Sequence, residues 1–218
     1  LINEEGVPRE KARLVYNGLP VKHFSNRNLR QELNIAQDHM VMVIVANLIP
    51  YKGHVDLIQA LGMLETQVQW DLLIVGKDSA NIRSSLEKLV QSQHLTEKIQ
   101  FLGSRTDIAN ILENSDIGLL VSHQEGFSNA ILEGMAHELP MIVTDVGGNS
   151  EAILNEECGL IVPPHDPLAL SNAIKRLLED EALRNKFAKN AKERFENNFT
   201  LSHCVNAYRE LYSEILES

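Results

Sequence analysis

Two glutamates eight positions apart, Glu125 and Glu133, bracket the stretch "EGFSNAILE", with a glycine and a phenylalanine after the first. Ser128 and Asn129 between them are residue types that cap helix N-termini, and Pro140 closes the run "HQEGFSNAILEGMAHELP". Ile131, Leu132, Met135, Ala136 and Leu139 recur at helical spacing, so a helix starts near Asn129 and buries that stripe. Glu133 falls to the side of the stripe, about one turn in, and Glu125 stays on the entry loop. A helix start carries partial positive charge, so this segment can receive an anion and offers two carboxylates to polar groups beside it. Lys52 with Gly53 forms a second chemical feature, a cation and a flexible joint directly before another helical pattern, Leu57, Ile58, Leu61 and Leu64. Alone, that dipeptide also reads as a solvated lysine beside a turn.

The elements that must position these groups alternate. "RLVYN", "VMVIVANL", "WDLLIVG", "IQFLG", "DIGLLVS", "MIVTD" and "GLIV" read as strands, with amphipathic helical patterns in most of the gaps. Near-continuous apolar strands separated by helices predict a parallel sheet buried on both faces, a doubly wound α/β fold. In such sheets ligands bind beyond the carboxyl ends of the strands. The loops there hold Asn47, Lys52 and Gly53; Gly76 and Lys77; Arg105; Glu125; and Gly147 with Gly148. Gathering on one edge, rather than any single residue, makes them a candidate site. From Pro167 onward the chain reads as helical, with Asp166 capping "PLALSNAIKRLLE" and two further helices to Ser218.

Composition narrows the chemistry. The 218 residues carry 30 acidic and 20 basic side chains, a formal charge of −10, which opposes a polyanionic nucleic acid while leaving room for a small phosphate. The longest apolar runs are far shorter than the roughly twenty residues of a spanning helix. Two cysteines suggest neither a zinc site nor a disulfide framework, and a cytoplasmic protein with reduced thiols is expected, the full-length protein lying free or peripheral to the inner face of a membrane. The eight histidines show no metal spacing. "VGKD" lacks the three glycines of a dinucleotide fingerprint, and no phosphate-loop or nucleophile-elbow pattern is present.

"EGFSNAILEGMAHELP" resembles the donor-binding motif of the retaining GT-B glycosyltransferases called group 1, in which seven residues separate two glutamates and Gly-Phe follows the first. "VYNGLP", "ANLIPYKG", "LLIVG", "IQFLGSRTD", "SDIGLLVS", "PMIVTDVGGNSE" and "CGLIVPPHDPLAL" resemble further family segments in the family's order, so the likeness covers nearly the whole chain. It implies a Rossmann-like domain, the C-terminal half of a GT-B fold, with residues 1–15 as an interdomain connection, 16–200 as the nucleotide-sugar-binding domain and 201–218 as a crossover helix. The N-terminal acceptor-binding domain is missing from this reading.

The resemblance further implies a nucleotide-diphosphate sugar as donor and transfer to an acceptor hydroxyl with retention. Lys52 and the amides of Gly126, Phe127, Ser128 and Asn129 would hold the diphosphate, Glu133 the ribose and Glu125 the donor sugar. Asn47, Gly53 and Gly76 would line the donor site and Arg105 border the base. No cofactor or metal is expected. Where the family usually places an arginine this chain has Asn47, and either Arg105 or Lys77 would compensate. An epimerase or hydrolase of the same architecture, and a non-catalytic nucleotide-sugar binding module, are the alternatives. Weak self-association through the final helix is expected, because its apolar face would lack the absent domain.

Overall fold

The computed structural model describes residues 8, 12–21 and 28–217. Among them six strands form one fully parallel sheet: β1 (Met40–Val45), β2 (Trp70–Val75), β3 (Ile99–Gly103), β4 (Ile117–Leu120), β5 (Met141–Thr144) and β6 (Gly159–Val162). Their order across the sheet is β3-β2-β1-β4-β5-β6, a Rossmann-like winding that reverses direction between β1 and β4. The doubly wound α/β expectation holds.

Both faces of the sheet are buried, which is why its strands read as unbroken apolar runs. Along β1, Met42 and Ile44 point to one side with Leu72, Ile74, Ile117 and Leu119. That side is covered by Leu57 and Leu61 of α2 (His54–Gly62), Leu86 and Val90 of α3 (Arg83–Ser92), and Ile174 and Leu177 of α7 (Pro167–Glu179). Val41 and Val43 point the other way with Leu73, Val75 and Val143. They meet Ile111 of α4 (Ile108–Glu113), Ile131, Leu132 and Met135 of α5 (Asn129–Ala136), and Phe195 of α8 (Glu181–Asn198). Each such aliphatic side chain, removed from water, contributes about 1.5–3 kcal/mol before conformational entropy is counted. Two short helices, α1 (Leu29–Glu32) and α6 (Asn149–Ala152), fill corners, and α9 (Leu201–Glu217) ends the chain without a buried residue.

Several expectations about elements are met. Asp166 accepts from the Ala169 amide and caps α7, and the whole Ile131–Leu139 stripe is buried. Two are corrected. "RLVYN" is not a strand: Leu14 is exposed, none of its five residues pairs in a sheet, and the nearest sheet-like pairing is a single bridge two residues further on, between Leu19 and Thr200. The sheet's edges are β3 and β6, and "RLVYN" lies instead beside the junction of α8 and α9, with the Tyr16 ring against that of Phe199. There the Leu19 amide donates to Phe199 O, and the Leu201 amide returns a bond to Leu19 O. Leu64 lies beyond the end of α2, which stops at Gly62, although it still packs on the core. Most of the expected connection over 1–15 falls outside the described residues.

Candidate functional site

Lys52 and Glu125 meet across the point where the strand order reverses. Lys52 ends a single 3-10 turn (Pro50–Lys52) after β1, and Glu125 lies on the loop after β4. Lys52 Nζ donates to Glu125 Oε1 at 2.5 Å, and Ser122 Oγ donates to the same oxygen at 2.6 Å. Both partners are largely shielded, with side-chain exposures of 19% and 10%. The sequence reading gave the two residues different ligand partners; in the free chain they neutralise one another. Ser122 was missed, and its position two residues past the buried strand β4, three residues before Glu125, was the available signal.

The backbone holds this pair by close approach. Gly53 has φ +72, and a Cβ there would sit 1.9 Å from the Val121 carbonyl oxygen, so no side chain fits. That contact presses the Lys52 turn onto the end of β4, and the His123 amide fastens it by donating to Tyr51 O at 2.7 Å. Gly147, at φ +55, does the same for the other loop, since its Cβ would lie 2.0 Å from Glu125 O. The Gly148 amide then donates to Gly126 O. Gly126 differs from these, because a Cβ there would meet nothing within 4 Å.

Ser128 is the N-cap of α5, as expected, but its side chain makes no capping bond, and Asn129 is the first helical residue. The opening amides of α5 are therefore not satisfied by Ser128. Asn129 Oδ1 instead accepts from Asn17 Nδ2 at 3.1 Å, a contact from the misread entry segment that spacing could not reveal. The Phe127 ring packs at a tilt against Tyr16 and Phe199, at centroid distances of 5.0 and 5.5 Å. Its side chain anchors the loop.

Two cavities open beside these groups and share Ile108 as a wall. The first, about 340 Å³, is lined by Asn47, Lys52, Gly76, Lys77, Ser104 and Arg105 among others, and is cationic. The second, about 330 Å³, is lined by apolar Leu19, Pro20, Ala109 and Leu112 together with Thr106, His137 and Glu133. Glu133 is half-buried, and desolvation raises its carboxyl above the usual range. The two family glutamates thus stand in different surroundings, one paired with a lysine and one beside a mainly apolar cleft.

Of the two candidate substitutes for the arginine absent at position 47, the structure distinguishes the occupied from the free. Arg105 is held by both oxygens of Asp107 at 2.8 Å and by Glu32 at 2.9 Å, and these carboxylates push its guanidinium pKa up. Lys77 is exposed on the same cavity and makes no ion pair among the described residues. Asn47 accepts the Lys77 amide at 3.0 Å and so fixes the turn that presents this lysine.

The family model for glycosyl transferases group 1 matches residues 25–194, and the chain belongs to that family. It is 29% identical over 212 residues to N-acetyl-alpha-D-glucosaminyl L-malate synthase of Bacillus anthracis, covering 96% of this chain and 55% of that protein. It is 32% identical over 191 residues to a Campylobacter jejuni N,N'-diacetylbacillosaminyl-diphospho-undecaprenol alpha-1,3-N-acetylgalactosaminyltransferase, covering 86% of this chain and 48% of that one. The chain spans about half the length of these curated relatives. Among solved structures, a glycosyltransferase from Rickettsia africae superimposes with a TM-score of 0.92 at 25% identity, over all of this chain and 60% of that one. Anabaena HepE in complex with UDP gives 0.87 at 24% identity, over 98% of this chain and 59% of that one. The fold is the Rossmann-like α/β domain found in GT-B glycosyltransferases.

Proposed function

We propose that this chain is the donor-binding half of a retaining glycosyltransferase, which takes a nucleotide-diphosphate sugar and passes the sugar to an acceptor hydroxyl. The observation that supports it most is the pair of cavities sharing Ile108: a cationic one with Lys52 and Lys77 adjoins an apolar one with a single carboxylate, Glu133. A nucleoside diphosphate has that character, a flat base and a ribose joined to a dianionic or trianionic tail. The diphosphate would lie against Lys52, Lys77 and the opening amides of α5, and the ribose hydroxyls would donate to Glu133. Gly126, whose α-carbon faces space unfilled by the chain, would let the ligand approach the backbone.

The chemistry follows from where charge develops. As the glycosidic bond lengthens, negative charge grows on the leaving diphosphate, and a lysine with aimed amides stabilises the transition state more than the ground state. Arrival of the diphosphate would draw Lys52 from Glu125 and leave that carboxylate beside the donor sugar, where it can accept a hydroxyl or support the positively polarised ring. The solved HepE complexes with UDP and with UDP-glucose concern a protein of the same fold, which makes a uridine nucleotide the first ligand to try. Transfer itself requires an acceptor-binding domain, which the length of the relatives leaves room for.

Calorimetry with UDP and UDP-glucose, then with other nucleotide sugars, tests the reading through two variants. Glu133→Ala should weaken the diphosphate and its sugar conjugate about equally, by roughly 1.5–3 kcal/mol for a lost charge-assisted hydrogen bond. Glu125→Ala should remove the conjugate's advantage over the bare diphosphate. Indistinguishable profiles for the two variants would refute the division of labour, and turnover of the donor without any acceptor would favour an epimerase or hydrolase.

A further inference from the structure

The loops that carry Lys52 and Glu125 are joined a second time by a group with no part in the donor reading. Asp56, in the first turn of α2, His123, on the loop after β4, and His165, on the loop after β6, bring one carboxylate and two imidazoles together with all three ligand atoms within 4.8 Å of one another. His123 Nε2 lies 2.8 Å from Asp56 Oδ2, and His165 Nδ1 approaches the same oxygen at 3.9 Å. The two imidazole rings lie with their centroids 3.7 Å apart, tilted by 38°. Asp56 and His123 are held in place by their elements, with side-chain exposures of 18% and 21%, whereas His165 is open to solvent at 66%.

We propose that Asp56, His123 and His165 form a binding site for a divalent transition-metal ion of the zinc class. Two imidazole nitrogens with one carboxylate oxygen select zinc, cobalt or nickel over magnesium or calcium, which prefer all-oxygen surroundings. A tetrahedral ion with bonds of about 2.0–2.1 Å holds its ligand atoms roughly 3.3 Å apart. The Asp56–His123 separation is already on the short side of that value, and the exposed His165 side chain would have to swing away from the His123 ring, because two imidazoles on one tetrahedral ion hold their centroids about 5 Å apart. Water completes the coordination, since His165 leaves the site open. The chain's charge of −10 favours a cation there. Because Asp56 follows Lys52 by four residues and His123 precedes Glu125 by two, a bound ion ties together the two loops that meet at the candidate active site.

The test is independent of the donor-sugar reading, because its readouts are metal binding and thermal stability. Cobalt(II) would be titrated by visible absorption and zinc by competition, in a Cys204→Ser background that removes the accessible thiol. The expected result is one equivalent bound, a melting temperature raised by zinc, and affinity lowered at least about tenfold in both His165→Ala and Asp56→Asn. Since His165 is exposed, His165→Ala should melt like its parent without metal, which separates loss of the site from loss of the fold. No binding at about 100 µM cobalt, or unchanged affinity in either variant, would overturn the proposal.

Discussion

Lys52 and Glu125 illustrate how one contact can serve stability before it serves a ligand. A shielded lysine and carboxylate at hydrogen-bond distance satisfy each other, and removing either leaves a costly unpaired charge. On the proposed reading a diphosphate would offer Lys52 a second anionic partner, and the pair would then also prepare the lysine. The same logic assigns opposite roles to the two remaining cations of the cleft. Lys77→Ala should weaken nucleoside diphosphate binding and flatten its salt dependence, with little change in melting temperature, because an exposed and unpaired lysine contributes mainly through charge. Arg105→Ala should instead lower stability by about 1–3 kcal/mol, since it strips the bidentate partner from Asp107, the N-cap residue of α4. Binding assays and urea melts on both variants check this. A large binding loss without destabilisation in Arg105→Ala would identify the arginine, not Lys77, as the replacement for the family's cation at position 47.

The element scale shows what was legible in the chain and what was not. β1, β2, β4 and β5 stood out because a sheet covered on both faces demands unbroken apolar runs, and the glycines and charges at their carboxyl ends then fell together of necessity. "RLVYN" has the same local pattern but packs beside the α8–α9 junction, Tyr16 against Phe199, a contact distant in sequence that five residues do not encode. The contacts Ser122–Glu125 and Asn17–Asn129, and the Asp56–His123–His165 group, depend on loop paths that periodicity does not encode. His54, the first residue of α2, belongs with them. It is 1% exposed, and its ring nitrogens lack partners with full hydrogen-bond geometry; the nearby Ala46 backbone offsets only part of the effect. Burial first, and the Lys52 charge second, lower its pKa to about 4. The unfolded chain, with an ordinary histidine near 6.5, therefore binds the proton first as pH falls. The native state keeps its full stability above about pH 6.5 and loses up to roughly 3 kcal/mol towards pH 4 through this group. Urea midpoints measured across that range should fall less steeply in His54→Leu than in the parent chain; parallel profiles would mean that His54 is not buried neutral.

At the scale of the molecule, α9 is the element whose surroundings the fold does not account for. Leu201, Val205, Tyr208 and Tyr212 recur along one side of it and are all exposed, while α8, just before it, buries Phe187, Ala191 and Phe195. Among the described residues no helix is long and apolar enough to cross a membrane, so that face is not explained as part of a span. On the reading proposed above it would be a crossover segment that returns to an acceptor-binding domain, and the chain spans about half the length of the curated relatives. The 218-residue chain by itself should then fold on its complete sheet, bind a nucleoside diphosphate weakly and transfer no sugar, because both reactants must be held together for the reaction. It should also self-associate weakly, since an apolar stripe left in water favours contact with a second copy. Light scattering over a range of concentrations would show a rising apparent mass, diminished by the paired substitutions Tyr208→Ser and Tyr212→Ser at unchanged melting temperature. A monomer at every concentration, with α9 amides protected from exchange, would mean that the helix is covered within the chain, and robust sugar transfer by this chain alone would refute the half-enzyme reading.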